Sequence, residues 1–341
     1  MHAEHTDNPE AREPAGGGAA TATVGQTYRD RATAALADVP RVPGAKKPDP
    51  ILVADNVVRR FGGLTAVDVE HVEIQRNAIT ALIGPNGAGK TTLFNLLTGF
   101  DTPDEGAWTF DGDPVSKLAA HKVARKGMVR TFQLTKALSR LTVLENMRLG
   151  AQDQRGERLL PALLPFLWRS QEAEISTRAQ ELLARFKLDR KQEDFAGSLS
   201  GGQRKLLEMA RALMSDPTMV MLDEPMAGVN PALTQSLLGH VKDLREQGMT
   251  VLFVEHDMDM VRDISDWVIV MAQGQIVSEG PPDAVMADPA VIDAYLGGHH
   301  DESIGEDDPL EQPGGVHYQH TDRPEDHPGT AGTTRTEDPR A

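Results

Sequence analysis

The sequence predicts an α/β fold: a mainly parallel sheet covered by helices, an N-terminal antiparallel β subdomain ahead of it, and a helical subdomain inserted into it. Three observations carry this. "AITALIG" (78–84), "TMVMLDEP" (218–225) and "TVLFVEHD" (250–257) are short, unbroken apolar runs, as expected of strands buried on both faces. Helical patterns separate them, which suits parallel crossovers. From about 135 to 213 helical patterns dominate, too long a stretch for one crossover.

The elements follow in order. Residues 1–48 are rich in Ala, Gly, Pro and Thr without a sustained period, and are expected to form a disordered extension. Residues 51–73 read as antiparallel strands. The strand at 78–84 leads into "GKTTLFNLLTG" (89–99), a helix with Leu93, Leu96 and Leu97 on one face, stopped by Gly99. After the helical subdomain come the strands at 218–225 and 250–257. "DWVIVMAQGQIVSEG" (266–280) reads as a hairpin turning at Gln273-Gly274. Residues 299–341 are expected to be a disordered acidic tail, leaving 49–298 as the folded domain.

Composition limits the function. The net charge of −16 and the 4 % aromatic content argue against a nucleic-acid binder. Much of the acidity sits in residues 301–341, where eleven acids face three arginines. With no cysteine, disulfides and thiolate metal sites are excluded. The N-terminus lacks a secretory pattern. The longest apolar run, "LLPALLPFLW" (159–168), is about half the length of a membrane helix and holds two prolines. Any membrane work is expected to fall to another chain.

The chemistry is concentrated in a few motifs. "GPNGAGKT" (84–91) lies between a strand and a helix and fits a phosphate loop. Its glycines let backbone N–H groups wrap phosphates, Lys90 reaches the β/γ oxygens, and the Thr91 hydroxyl ligates Mg²⁺. In "VMLDEP", Asp223 and Glu224 end an apolar strand. Two adjacent carboxylates there call for a nearby cation: Asp223 would hold Mg²⁺, and Glu224 would polarise the attacking water. His256 ends a third strand, where ligands of open α/β sheets gather, and reads as a γ-phosphate sensor. Phe61 is either core or a platform for a purine ring. In "SLSGGQRKLLEMARAL" (198–213), Ser200 is a good N-cap. The glycines after it cost helix propensity, which close approach to a phosphate would justify.

The ordered set "GPNGAGKTT", a glutamine loop, "LSGGQ", "LDEP" and a strand-end His resembles the ATP-binding subunits of ABC transporters, across essentially all of residues 50–298. The resemblance implies a P-loop NTPase core and the family's roles at matching positions. Phe61 would stack on adenine. Gly84, Asn86, Gly87, Gly89, Lys90, Thr91 and Thr92 would bind the ATP phosphates and Mg²⁺. Gln133 would sit near Mg²⁺ and the attacking water and couple to the membrane partner. Two subunits would pack head to tail, with Ser200, Gly201, Gly202 and Gln203 of one covering the ATP held by the other. The implied partners are integral-membrane permease subunits, a second ATPase subunit (same or related chain) and, indirectly, a solute-binding protein. The implied location is the cytoplasmic face of the membrane.

"RTFQLTKALSRLTVLENMRLG", "DEPMAGVNP" and the ending "VIDAYLG" resemble the branch that energises uptake of branched-chain amino acids, or the similar one for urea and short amides. Asn230, where many members carry Asp, reads as a mark of that branch. Two other classes compete: a soluble ABC ATPase of DNA-repair or ribosome-acting type, and an unrelated P-loop GTPase or kinase. The first lacks its coiled coil or second ATPase unit here, and the second has no use for "LSGGQ" or His256. An exporter stays open as well.

Overall fold

Two sheets share the described residues, 27–131, 138–152, 154 and 168–297, of the computed structural model. The first is antiparallel: β1 (Pro50–Phe61) and β2 (Leu64–Gln75) form a long hairpin, and β4 (Glu105–Phe110) and β5 (Asp113–Pro114) extend it in the order β2-β1-β4-β5. The second contains β3 (Ile79–Ile83), β6 (Met128–Arg130), β7 (Met219–Asp223), β8 (Thr250–Val254), β9 (Trp267–Ala272) and β10 (Gln275–Gly280). Its order is β10-β9-β3-β8-β7-β6, parallel from β9 to β6, with β10 antiparallel at the edge. The β9–β10 turn falls at Gln273 and Gly274, both at positive φ, as two-residue hairpin turns require.

The unbroken apolar runs are explained by burial on both faces. In β3, β7 and β8, Ile79, Ala81, Ile83, Val220, Leu222, Val251 and Phe253 point to the core shared with the helical segment. Their neighbours Leu82, Met219, Met221, Leu252 and Val254 point to the core shared with the antiparallel sheet. This is the two-residue alternation of a strand, with both sides apolar. In chain order, α1 is Tyr28–Leu36, α2 is Lys90–Leu97, α3 is Ala120–Arg125, α4 is Val143–Arg148, α5 is Arg169–Arg185, α6 is Gly201–Ala212 and α7 is Pro231–Glu246. Helix α2 buries Leu93, Phe94, Leu96 and Leu97 between the sheets. Helices α4, α5 and α6 pack on one another around Val143, Met147, Leu183 and Ala210. No described helix is long and apolar enough to cross a membrane. Apart from Trp168, the apolar run 159–168 lies outside the described residues, as do 1–26 and 298–341.

One expectation is corrected. Part of the presumed extension is folded. Thr27 and Asp30 form a reciprocal capping box that starts α1, and Ala32, Leu36, Val39 and Ala45 are buried. The segment then threads between the sheets. The Lys47 ammonium pairs with Glu279 at 2.5 Å, with both side chains at most 1 % exposed. Glu279 also accepts from the Ala45 N–H at 2.6 Å and the Trp267 indole at 2.8 Å. Too few apolar residues lie in 27–48 to order it alone; its partner Glu279 is some 230 residues away, so composition does not reveal it. Burial pushes the Lys47 ammonium down, against the pull of Glu279. Lys47→Met would leave a buried carboxylate without its cation and should cost about 3 kcal/mol in denaturant melts.

Candidate functional site

The parallel sheet brings the predicted motifs to one edge. The carboxyl ends of β3, β8, β7 and β6 lie side by side, and they deliver Gly84, His256, Asp223–Glu224 and Arg130 respectively. Ligands of open α/β sheets bind at such an edge.

The loop after β3 is shaped by its glycines. Gly84 has φ 148°, and a Cβ there would lie 2.0 Å from the Met271 carbonyl. Gly89 has φ 97° and caps α2 without any side-chain acceptor, so the first N–H groups of that helix stay available to an anion. Asn86, Gly87 and Thr91 are exposed, and Thr92 is half-buried. The Lys90 ammonium folds over the loop, donating to the Gly84 and Pro85 carbonyls at 2.7 and 2.9 Å. Burial pushes its pKa down, while the charges of Glu224 and Asp223 oppose that. The lysine and both carboxylates therefore converge. Lys90→Ala removes a cation from a phosphate cradle and should weaken ATP binding about 10- to 100-fold, the worth of a charged hydrogen bond, in a titration with labelled ATP.

Asp223 is not left to a metal alone. Arg130, at the end of β6, donates to Asp223 Oδ2 at 2.7 Å, with both side chains at most 5 % exposed. The same guanidinium donates to Asn95 Oδ1 at 2.6 Å and lies over the Phe94 ring at 5.5 Å. The cation demanded by a buried carboxylate is thus supplied in part by protein. Arg130 was missed in the sequence, although it stands three residues before Gln133. Gln133 itself lies outside the described residues.

Glu224 begins a strained turn. Its φ is 46°, left-handed and costly for a side chain of this size, a state concentrated at functional sites. The turn is held by the Glu224 N–H donating to the Val254 carbonyl at 3.1 Å and the Met226 N–H donating to Glu255 at 3.0 Å. Glu255 is buried, which pushes its pKa up, and its backbone donors work the other way. Beside it, His256 is largely exposed at the strand end. Asn230 caps α7, its Oδ1 accepting from the Leu233 N–H at 3.0 Å, with Pro231 opening the helix. Asp would cap this helix equally well, which explains why Asn fits here.

The Ser200 helix is capped as its sequence suggests. Ser200 Oγ accepts from the Gln203 N–H, and Gln203 Oε1 accepts from the Ser200 N–H, at 3.2 and 3.0 Å. Its two glycines differ. A Cβ at Gly202 would meet the tip of the half-buried Leu233 side chain, Cδ2 at 1.7 Å, a flexible group that can turn aside. Gly201 is exposed and meets nothing within 4 Å. Phe61 is not core: it is 49 % exposed, and Arg59 lies over its ring at 4.6 Å.

The oxygen donors at hand, the Thr91 hydroxyl and the Asp223 carboxylate, suit Mg²⁺, which keeps most of its shell for water and phosphate. Among the described residues no group of three or more His, Asp or Glu could hold a metal ion.

A glycine loop opening a helix, a lysine folded over it and an acidic strand end two strands away define a P-loop NTPase. The family model described as ABC transporter matches residues 68–227, and that described as Branched-chain amino acid ATP-binding cassette transporter matches 275–301. The probable branched-chain amino acid transport ATP-binding protein LivG of Archaeoglobus fulgidus is 40 % identical over 252 residues, 74 % of this chain and 97 % of that one. The high-affinity branched-chain amino acid transport ATP-binding protein BraF of Pseudomonas aeruginosa is 40 % identical over 73 % of this chain and 98 % of its own. The crystal structure of the ADP conformation of an ATP-binding cassette of an ABC transporter is 38 % identical, with TM-score 0.63 over 73 % of this chain and 99 % of that one. A dimeric post-hydrolysis cassette bound to ADP and Pi is 25 % identical, with TM-score 0.57 over 68 % of this chain and 98 % of that one. The chain belongs to the ABC transporter family of ATP-binding subunits, and its activity is ATP hydrolysis coupled to transport.

Proposed function

We propose that this chain energises uptake of branched-chain amino acids through separate permease subunits, at the cytoplasmic face of the membrane. The names of its relatives support the solute class. ATP is held with its phosphates on the 84–91 loop and its adenine against Phe61. Lys90 neutralises the β/γ oxygens, Thr91 and Asp223 hold Mg²⁺, and Gln133 lies near the ion. Mg²⁺ supplies charge neutralisation on the phosphates. Glu224 takes the proton of the attacking water, and His256 senses the γ-phosphate.

The site is finished by a second ATPase subunit packed head to tail, whose Ser200, Gly201, Gly202 and Gln203 face the bound phosphates. The observation that carries this is Gly201: an exposed glycine at a helix start, open where a side chain would stand, next to backbone N–H groups suited to an anion. The permease docks on the groove beside the helical segment, where Leu138 and Leu149 are exposed and Val129, Gln152, Glu208 and Arg211 are among the other lining residues. Loss of the γ-phosphate releases the joined subunits and resets the transporter.

The solute is tested by deleting the coding sequence and measuring uptake of labelled leucine, isoleucine, valine and urea. Loss of the three amino acids with urea uptake intact is expected. Loss of urea uptake alone would move the chain to the amide branch.

A further inference from the structure

Lys205 lies one turn into α6, just past the Ser200–Gln203 start, yet its ammonium is spent elsewhere. It donates to three backbone carbonyls: Glu224 at 3.2 Å, Pro225 at 3.1 Å and Ala227 at 2.5 Å. These belong to the turn that leaves β7 and carries the Glu224 side chain. Burial of the ammonium lowers its pKa, against the charges of Glu255, Glu208 and Glu224 around it. A half-buried lysine aimed at three convergent carbonyls is a costly arrangement, since the ammonium gives up water for fixed acceptors.

The turn needs such support. Glu224 sits at φ 46°, and a strained residue persists only where its surroundings over-determine it. Two of the restraints come from β8 and its end: the Val254 carbonyl and the Glu255 carboxylate. Lys205 adds a restraint from a different body, the helical segment. Hydrogen bonds of this kind fail within about 1 Å of added separation, so a small displacement of α6 against the sheet would release the turn.

We propose that Lys205 is a positioning residue for hydrolysis: it holds the turn of Glu224 in register, and so makes the base depend on where the Ser200–Gln203 helix of the same chain lies. This rests on the reading of Glu224 as the base and of Ser200–Gln203 as the cover of a partner's ATP. It adds a physical link between those two sites, one at each end of the same lysine. Engagement of the helix start with nucleotide on the partner fixes α6, and α6 fixes Glu224 in its own chain through Lys205.

The test uses the full chain in its assembled ATPase. Lys205→Met should lower turnover at saturating ATP about 10- to 100-fold, the usual cost of a misplaced reacting group, with KM for ATP within about 3-fold. Hydrogen exchange at the amides of Met226, Ala227 and Gly228 should quicken while the amides of α2 keep their rates. Lys205→Arg, which keeps the charge, should recover part of the turnover. In a Glu224→Gln background, adding Lys205→Met should change the residual rate by less than about 2-fold, because the two act as a unit. Should Lys205→Met fail to fold, Lys205→Gln is read by the same criteria. Normal turnover in the neutral variant, unchanged exchange in the turn, or a full multiplicative loss in the double variant would each overturn the proposal. A fully active Glu224→Gln would instead sink the base assignment, while an inactive Glu224→Gln beside an active Lys205→Met would sink the role of Lys205 alone.

Discussion

Glu224→Gln should cut ATP turnover about 10²- to 10⁴-fold, the usual worth of a general base, while ATP affinity stays within a few-fold. The substitution keeps size and hydrogen-bonding capacity but removes the proton acceptor. The turn around it is held by the Val254 carbonyl, Glu255 and Lys205 through backbone groups, so it should survive the change. The phosphate cradle is built from Gly84, Gly89 and Lys90, none of which the substitution touches. In the proposed head-to-tail dimer, where ATP joins the subunits and its hydrolysis parts them, the variant should also accumulate as a closed, ATP-loaded dimer in size-exclusion chromatography. Normal turnover by this variant would remove Glu224 from the chemistry.

Arg130→Met carries the second large effect. The substitution fills much of the same space but leaves the Asp223 carboxylate, at 5 % exposure, without its guanidinium. Removing one partner of a buried pair costs about 3–5 kcal/mol, because the other charge stays buried and uncompensated. Asn95 also loses the donor that reaches its Oδ1 at 2.6 Å. Denaturant melts should therefore show a loss in this range, and the double variant Arg130→Met/Asp223→Asn should lose clearly less than the sum of the singles. A single variant within about 0.5 kcal/mol of the parent would mean that Asp223 is compensated by something else.

Much of the core was legible because local pattern and final environment agree. Unbroken apolar runs became strands buried on both faces, Gln273-Gly274 became the hairpin turn, and the helix after the phosphate loop ended before Gly99. Adjacent residues, as in 84–91 and 223–224, carried the candidate site in the sequence, and the sheet places both stretches at one edge. Groups that act across the fold were not legible in the sequence. Arg130 and Lys205 look like ordinary basic residues until β6 stands beside β7 and α6 packs against the turn after it. The folded stretch from Thr27 to Lys47 did carry a local signal, a Thr-x-x-Asp capping box, but what orders it lies elsewhere in the chain: the core that buries Ala32, Leu36, Val39 and Ala45, and the Glu279 carboxylate. Gly202 shows a subtler case. Inside the chain a Cβ there would meet only the flexible end of Leu233, which can move aside, so no contact within the chain demands glycine; at Gly201 a Cβ would meet nothing within 4 Å.

The central claim is that hydrolysis needs Ser200, Gly201, Gly202 and Gln203 from a second chain. The rate of ATP hydrolysis per chain, measured across a wide range of protein concentration, tests it most directly. A low rate at high dilution is expected, rising as this chain is concentrated or as its related ATPase subunit is added. A full rate at high dilution, independent of concentration and of any added subunit, would contradict it.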